Sequence, residues 1–210
     1  MRTQAGCANG KHEYDDLIGL LTEDRSHFSS RYIKDLDEIE LVVAAIRARG
    51  DKKIVLTSGS FDVIHEGHSM YLEAARSLGD FLVVGVDSDA KVRLRKGRTR
   101  PAVPELERLR MVTHQRGVGL VTLKHPEHER WALTRAVRPD VLVATEDTYS
   151  AQEIAELERD YCGRVEVLRR MATVSTSARL RTTYFEIATV FAERLPTFMR
   201  EIVSEVAGER

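Results

Sequence analysis

Ile54-Val55-Leu56-Thr57-Ser58-Gly59-Ser60-Phe61-Asp62-Val63-Ile64-His65-Glu66-Gly67-His68 joins a short apolar run to a glycine-bearing loop and then to a helix start. The run has the length and composition of a strand buried on both faces. The helical pattern continues through Tyr71-Leu72-Glu73-Ala74-Ala75-Arg76-Ser77-Leu78 and stops at Gly79. The same rhythm recurs downstream. Phe81 to Val86, Val118 to Leu123, Val141 to Val143 and Val165 to Leu168 are further strand candidates. Helical patterns separate them, from Glu105 to about Arg116, from Glu127 to Val137 and from Ala151 to Tyr161. Strands alternating with helices predict βαβ units. The expected fold class is α/β, a Rossmann-like doubly wound five-stranded parallel sheet with added N- and C-terminal helices. Its ligand belongs at the carboxyl ends of the strands.

Outward from this core the patterning changes. Residues 1 to about 34 are polar and weakly patterned, which predicts partial flexibility. Leu36, Ile39, Val43 and Ile46 then recur at helical spacing before Gly50. Near the other end, Ile187, Phe191, Leu195, Phe198 and Ile202 fall on one helical face between Phe185 and Val206, where Pro196 predicts a kink or split. The expected organisation is an N-terminal extension over 1–50, an α/β domain over 51–182 and a helical extension over 183–210. The apolar faces of the terminal helices either cover the sheet or make a homodimer interface.

The net charge of −1 gives no global attraction to nucleic acid. Cys7 and Cys162 make neither a disulfide framework nor a paired metal motif, so a reducing compartment is expected. The chain shows neither an apolar signal core nor a run of roughly 18 to 20 apolar residues. These features predict a cytoplasmic protein with no membrane partner.

Two segments carry chemistry. In the first, a helix N-terminus offers free N–H groups and a positive dipole end to phosphate. Gly59 and Gly67 permit close backbone approach, Ser60 adds a hydroxyl donor, and His65 and His68 can each donate to a phosphate oxygen. A zinc site is the competing use of two histidines, but no cysteine pair or carboxylate cluster completes it. In the second, Arg170-Met171-Ala172-Thr173-Val174-Ser175-Thr176-Ser177 follows the last strand and opens another helix. Its hydroxyls read as an ordinary N-cap or as a phosphate cradle.

Together these stretches resemble the cytidylyltransferase-like nucleotidyltransferases. Ser58 to His68 resembles their HxGH signature, and Arg170 to Ser177 resembles their second, serine- and threonine-rich signature. Asp87-Ser88-Asp89, Arg95-Lys96-Gly97-Arg98-Thr99-Arg100-Pro101 and Arg108 extend the likeness. It spans roughly residues 50 to 182 and is greatest to heptose 1-phosphate adenylyltransferases, then to glycerol-3-phosphate cytidylyltransferases. Two departures stand out. Thr173 replaces a family glycine, and Val143-Ala144-Thr145-Glu146-Asp147 lacks the Lys-Gly-Gly-Asp run of the heptose enzymes.

The resemblance implies transfer of a nucleoside monophosphate from an NTP, ATP in the first instance, to a phosphorylated small molecule such as a sugar 1-phosphate, with Mg²⁺ accompanying the triphosphate. It implies catalytic roles for His65, His68, Lys96 and Arg170. It implies nucleotide contacts from Ser58, Gly59, Ser60, Phe61, Asp62, Gly67, Asp89, Arg108, Ser175, Thr176 and Ser177. Arg100, Glu146 and Asp147 are weaker candidates for the acceptor, and no protein metal ligand is assigned. Asp62 either orients the loop or a metal-bound water, or is a structural cap. The cluster Arg93, Arg95, Lys96, Arg98 and Arg100 reads as a mobile loop bringing Lys96 to the triphosphate, against a solvated loop or a nucleic-acid patch that lacks neighbouring aromatics. A CTP-dependent enzyme acting on a polyol phosphate or phosphonate is the alternative within the class. A non-catalytic nucleotide-binding regulator is the alternative outside it.

Overall fold

The computed structural model describes residues 27–169, 171 and 176–208. The described chain divides after Met171 into a sheet-containing unit and a C-terminal helix.

The five apolar runs form one parallel sheet, ordered β3-β2-β1-β4-β5. The strands are β1 (Ile54–Gly59), β2 (Phe81–Asp87), β3 (Val118–Lys124), β4 (Val141–Thr145) and β5 (Arg164–Leu168). The chain moves outward from β1 to β3, then returns to place β4 on the free side of β1. The carboxyl ends of β1 and β4 therefore flank the point where winding reverses, which is where an open α/β sheet binds ligands.

Two layers of helix bury the two faces. On one, Leu72 and Ala75 of α3 (Glu66–Arg76) and Leu109 and Val112 of α5 (Glu105–Thr113) pack on Val55, Leu82, Val84 and Val121. On the other, Ile39, Val43 and Ile46 of α2 (Leu36–Ala48), Leu133 and Val137 of α6 (Ala132–Val137) and Leu157 of α7 (Ala151–Asp160) pack on Ile54, Leu56, Val83 and Leu142. The stretch read as weakly patterned contains a short helix, α1 (Phe28–Arg31), after which Tyr32 bridges Val121 and covers the free edge of β3.

Strand β3 carries an irregularity. Val118 pairs with Leu82, but Leu120 pairs with Val83, so Gly119 is an extra residue in the ladder. A Cβ on Gly119 would lie 2.4 Å from the Phe81 ring, which is why glycine stands there.

Three expectations are corrected. The basic stretch is not a loop: residues 89–96 form α4 (Asp89–Lys96), with Ser88 as N-cap accepting from the Lys91 N–H at 3.2 Å and Gly97 ending it at φ 92°. Asp89 in its first turn and Arg95 and Lys96 in its last match the helix dipole. The helix expected from Glu127 begins only at Ala132, because Trp131 adopts left-handed backbone at φ 63°. The C-terminal helix α8 (Thr176–Ala207) continues through Pro196 as one element. Among the described residues, no helix is long and apolar enough to cross a membrane.

Candidate active site

The first loop is coiled by its own packing. Phe61 and Val63 hold positive φ, 47° and 51°, in a region that costs L residues roughly 1–3 kcal/mol each. Burial of the Phe61 ring over Gly59 offsets part of this, since a Cβ on Gly59 would lie 3.1 Å from that ring. Asp62 supplies more. Its Oδ1 accepts from the N–H groups of Ala102 and Val103 at 2.9 and 3.1 Å, and its Oδ2 accepts from Arg100 at 2.8 Å. Asp62 therefore ties the histidine loop to residues 100–103, and Arg100 is placed on Asp62.

His65 is the N-cap of α3. Its N–H points at Nδ1 of His68, 3.4 Å away, while the His68 N–H donates to the His65 carbonyl at 2.8 Å. The two rings stack with centroids 3.9 Å apart, and Phe61 packs 5.5 Å from His68. Burial, followed by the adjoining His65 and Lys96, pushes the His68 imidazole down to about 4 against the pull of Asp62. His68 is therefore neutral at pH 7. With Nδ1 facing a donor, its proton belongs on Nε2, which becomes an outward N–H donor. Below this pair, the Tyr71 hydroxyl joins Thr57 Oγ1 at 2.7 Å, and Thr57 donates to the Val143 carbonyl at 3.0 Å. These bonds fix the start of α3 against β1 and β4.

The other flank is built on arginine. Arg108 is fully buried, donating to the Val103 carbonyl at 2.9 Å, the Ser60 carbonyl at 2.5 Å, the Asp87 carbonyl at 2.8 Å and Asp89 Oδ1 at 2.7 Å. Arg108 thus braces the loop, and Asp89 serves as its counter-ion. Arg95 donates to Ser60 Oγ at 2.6 Å and Asp87 Oδ2 at 2.8 Å. Lys96, at the end of α4, has its ammonium lowered by burial and then by Arg95 and Arg100, opposed by Asp62 and Asp87. A cation in that condition is stabilised by an incoming anion.

The remaining sites fall as follows. Gly67 is buried in the first turn of α3, and Glu146 and Asp147 form an exposed turn after β4. Arg170 and Ser175 lie outside the described residues, and Thr176 and Ser177 are described only as the backbone opening α8.

Sequence reasoning missed a second cluster. A cavity of about 150 Å³ opens at the carboxyl ends of β1 and β3, lined in part by Ser58, Lys91, Lys124, His128, Trp131 and Tyr149. Its signal was present as a second His-x-x-His, His125 to His128. That pair repeats the contact of the first, since the His125 N–H points at His128 Nδ1 across 3.4 Å. Among the described residues no group of three or more His, Cys, Asp or Glu side chains is arranged to hold a metal ion.

The cytidylyltransferase-like family model matches residues 56–188. The bifunctional protein HldE of Nitratiruptor sp. is 40% identical over 126 residues, 60% of this chain and 27% of that protein. The HldE of Pelobacter propionicus is 38% identical over 164 residues, 77% of this chain and 33% of that protein. The chain thus spans about a third or less of the length of these curated relatives. The pantoate-beta-alanine ligase of Francisella tularensis shares the fold, with a TM-score of 0.51 at 16% identity over 79% of this chain and 78% of that one. The family model, placed on the strand, loop and helix that carry His65 and His68, shows that the chain belongs to the cytidylyltransferase-like family.

Proposed function

We propose that this chain transfers a nucleoside monophosphate from an NTP, ATP before CTP, to a phosphorylated small molecule such as a sugar 1-phosphate. The observation that carries the reading is the neutral, half-buried His68, stacked on His65 at the N-terminus of α3 with Nε2–H as a donor. The resemblance to heptose 1-phosphate adenylyltransferases favours ATP and a sugar phosphate.

In the reaction, an acceptor phosphate oxygen attacks the α-phosphorus in line. A new P–O bond forms, the bond to the bridging oxygen breaks, and its electron pair leaves on pyrophosphate. A phosphate monoester is already anionic near neutral pH, so the protein supplies position and charge complementarity rather than a strong base. His65 and His68 donate to the α- and β-phosphate oxygens. Lys96 and Arg170 neutralise the leaving pyrophosphate, and Ser175, Thr176 and Ser177 hold the outer phosphates. Ser60, Phe61, Asp62, Asp89 and Arg108 act through the loop they brace. Mg²⁺ arriving on the triphosphate would supply further charge neutralisation, and the described residues fit an ion held by nucleotide phosphates rather than by a protein cage.

Residues 1–50, 51–182 and 183–210 are proposed as extension, catalytic domain and helical extension. The exposed Phe191, Leu195, Phe198 and Ile202 of α8 are proposed to pair with a second copy. Sedimentation as a monomer at micromolar concentration would remove that pairing. His68→Ala should cut pyrophosphate release from NTP and sugar phosphate by about a hundredfold or more, the scale of losing one transition-state donor. An unchanged rate in that variant would overturn the mechanism.

A further inference from the structure

Asp87 ends β2 with a carboxylate whose side chain is only 3% exposed. A charge held that deep is costly without a cation beside it. Arg95, Lys96 and Lys124 all act on it, and they do so unequally. Arg95 holds it directly, with one guanidinium nitrogen donating to Asp87 Oδ2 at 2.8 Å and to Ser60 Oγ at 2.6 Å. Lys124 Nζ stops 4.0 Å from Oδ1. Lys96 follows Arg95 in the last turn of α4 and feels Asp87 as an opposite charge. Among the described residues, it forms no ion pair with Asp87 or with any other carboxylate.

The other carboxylate that acts on Lys96 is occupied as well. Asp62 accepts from Arg100 at 2.8 Å and from the N–H groups of Ala102 and Val103 at 2.9 and 3.1 Å. Each acid near Lys96 is therefore held by an arginine. The two kinds of cation suit this division. A guanidinium carries its donors in a fixed planar fork, and Arg95 spends that fork on Asp87 and Ser60 together. An ammonium on a flexible stem is a compact charge that settles on whichever anion is nearest. With Arg95 in place, the anion left for Lys96 is one that arrives from solution. Without Arg95, that anion is Asp87, a buried carboxylate that has lost its partner.

We infer that Arg95 is a positioning residue that occupies the Asp87 carboxylate and so keeps the Lys96 ammonium open to the nucleotide phosphates. The inference rests on the nucleotidyl-transfer reading, in which Lys96 meets the leaving pyrophosphate. It gives Arg95 a part that needs no contact with substrate. It also makes Asp87 the group that disables the lysine once its arginine is gone.

The test pairs kinetics with a titration that needs no turnover. Arg95→Met should lower kcat/KM for the NTP about tenfold or more, the scale of one hydrogen bond to a charged group, toward the value of Lys96→Met. Arg95→Lys keeps a cation on Asp87 and should lose less than about threefold. The double variant Arg95→Met, Asp87→Asn keeps the shape of the acid without its charge, and should recover to within about threefold of the native chain. The titration follows the Lys96 ammonium by NMR of labelled lysine Cε, assigned with Lys96→Met. Arg95 and Arg100 lower that ammonium, Asp62 and Asp87 raise it, and His68 lies beside it. Arg95→Met removes a like charge and releases Asp87, so Lys96 should titrate at higher pH than in the native chain. Adding Asp87→Asn should bring it back down. A loss in Arg95→Met that persists in the double variant would put Arg95 on the nucleotide itself and overturn the inference. An unchanged kcat/KM in Arg95→Met overturns it, as does a Lys96 titration that fails to rise. If no pair of NTP and acceptor releases pyrophosphate with the native chain, the transferase reading fails, and the Lys96 titrations still decide whether Arg95 keeps the lysine from Asp87.

Discussion

At the scale of single residues, this site depends on protonation states fixed by burial. His68 titrates near 4 in the folded chain and near 6.5 when unfolded. The unfolded chain therefore binds a proton between those values that the folded chain does not, so stability tied to His68 is complete above about 6.5 and declines as pH falls toward 4. Urea unfolding from pH 7 to 4.5 should show this decline, and His68→Asn should reduce it. Equal slopes in the two proteins would remove the assignment. The neutral His68 donor was only half legible in the sequence: His65, Gly67 and His68 mark the loop by their spacing, but the burial that keeps the ring uncharged comes from distant segments. Arg108 is a similar case. Its position in a helix pattern says nothing of four acceptors gathered from residues 60, 87, 89 and 103. Arg108→Met strands those acceptors and should destabilise the chain by about 3–5 kcal/mol in urea unfolding, more than a lost surface ion pair.

At the scale of elements, apolar runs were read well because burial on both faces leaves little choice of residue. Ile54 to Leu56 and Phe81 to Val86 lie within β1 and β2. The charged helix α4 was taken for a loop because its amphipathic signal is poor, with Val92 alone buried and arginine and lysine over the rest. Its true signals were the Ser88 cap and the absence of glycine or proline before Gly97. α2 was read as a helix from Ile39, Val43 and Ile46, but their role as a wall of the core needed the sheet. Ile39→Ala should cost about 2–5 kcal/mol, since Ile39 has no exposed surface. A value below 1 kcal/mol would mean that α2 is not part of the cooperative unit.

At the scale of the whole chain, a net charge of −1 hides a segregated distribution. Lys91, Arg95, Lys96, Arg100, Arg108 and Lys124 gather at the carboxyl end of the sheet around the three carboxylates of Asp62, Asp87 and Asp89. Attraction of an anionic nucleotide should be local, within a Debye length of about 10 Å at 0.1 M salt. Raising salt should therefore raise the NTP KM of the native chain more than that of the Lys96→Met variant. Parallel salt dependences would place the attraction elsewhere. The doubly wound topology was legible from the alternation of runs, and the ligand end of the sheet followed from it. The second cavity was not, because it gathers residues 58, 91, 124, 128, 131 and 149 from separate crossovers.

The extra residue at Gly119 sets a parity. Val118 faces the layer of α3 and α5, yet Leu120 faces the layer of α2 and α6, because one residue between them is skipped in the ladder. Every side chain downstream inherits that inversion, including Lys124. Were Gly119 instead paired with Val83, so that the ladder ran on from Val118 without the bulge, the lysine's place opposite Asp87 would fall to Leu123, a residue of the opposite face. Lys124 reaches its cavity through a phase set five positions upstream by a glycine that touches no ligand. A comparison that aligns β3 without the bulge would put its lysine on the wrong side of the sheet.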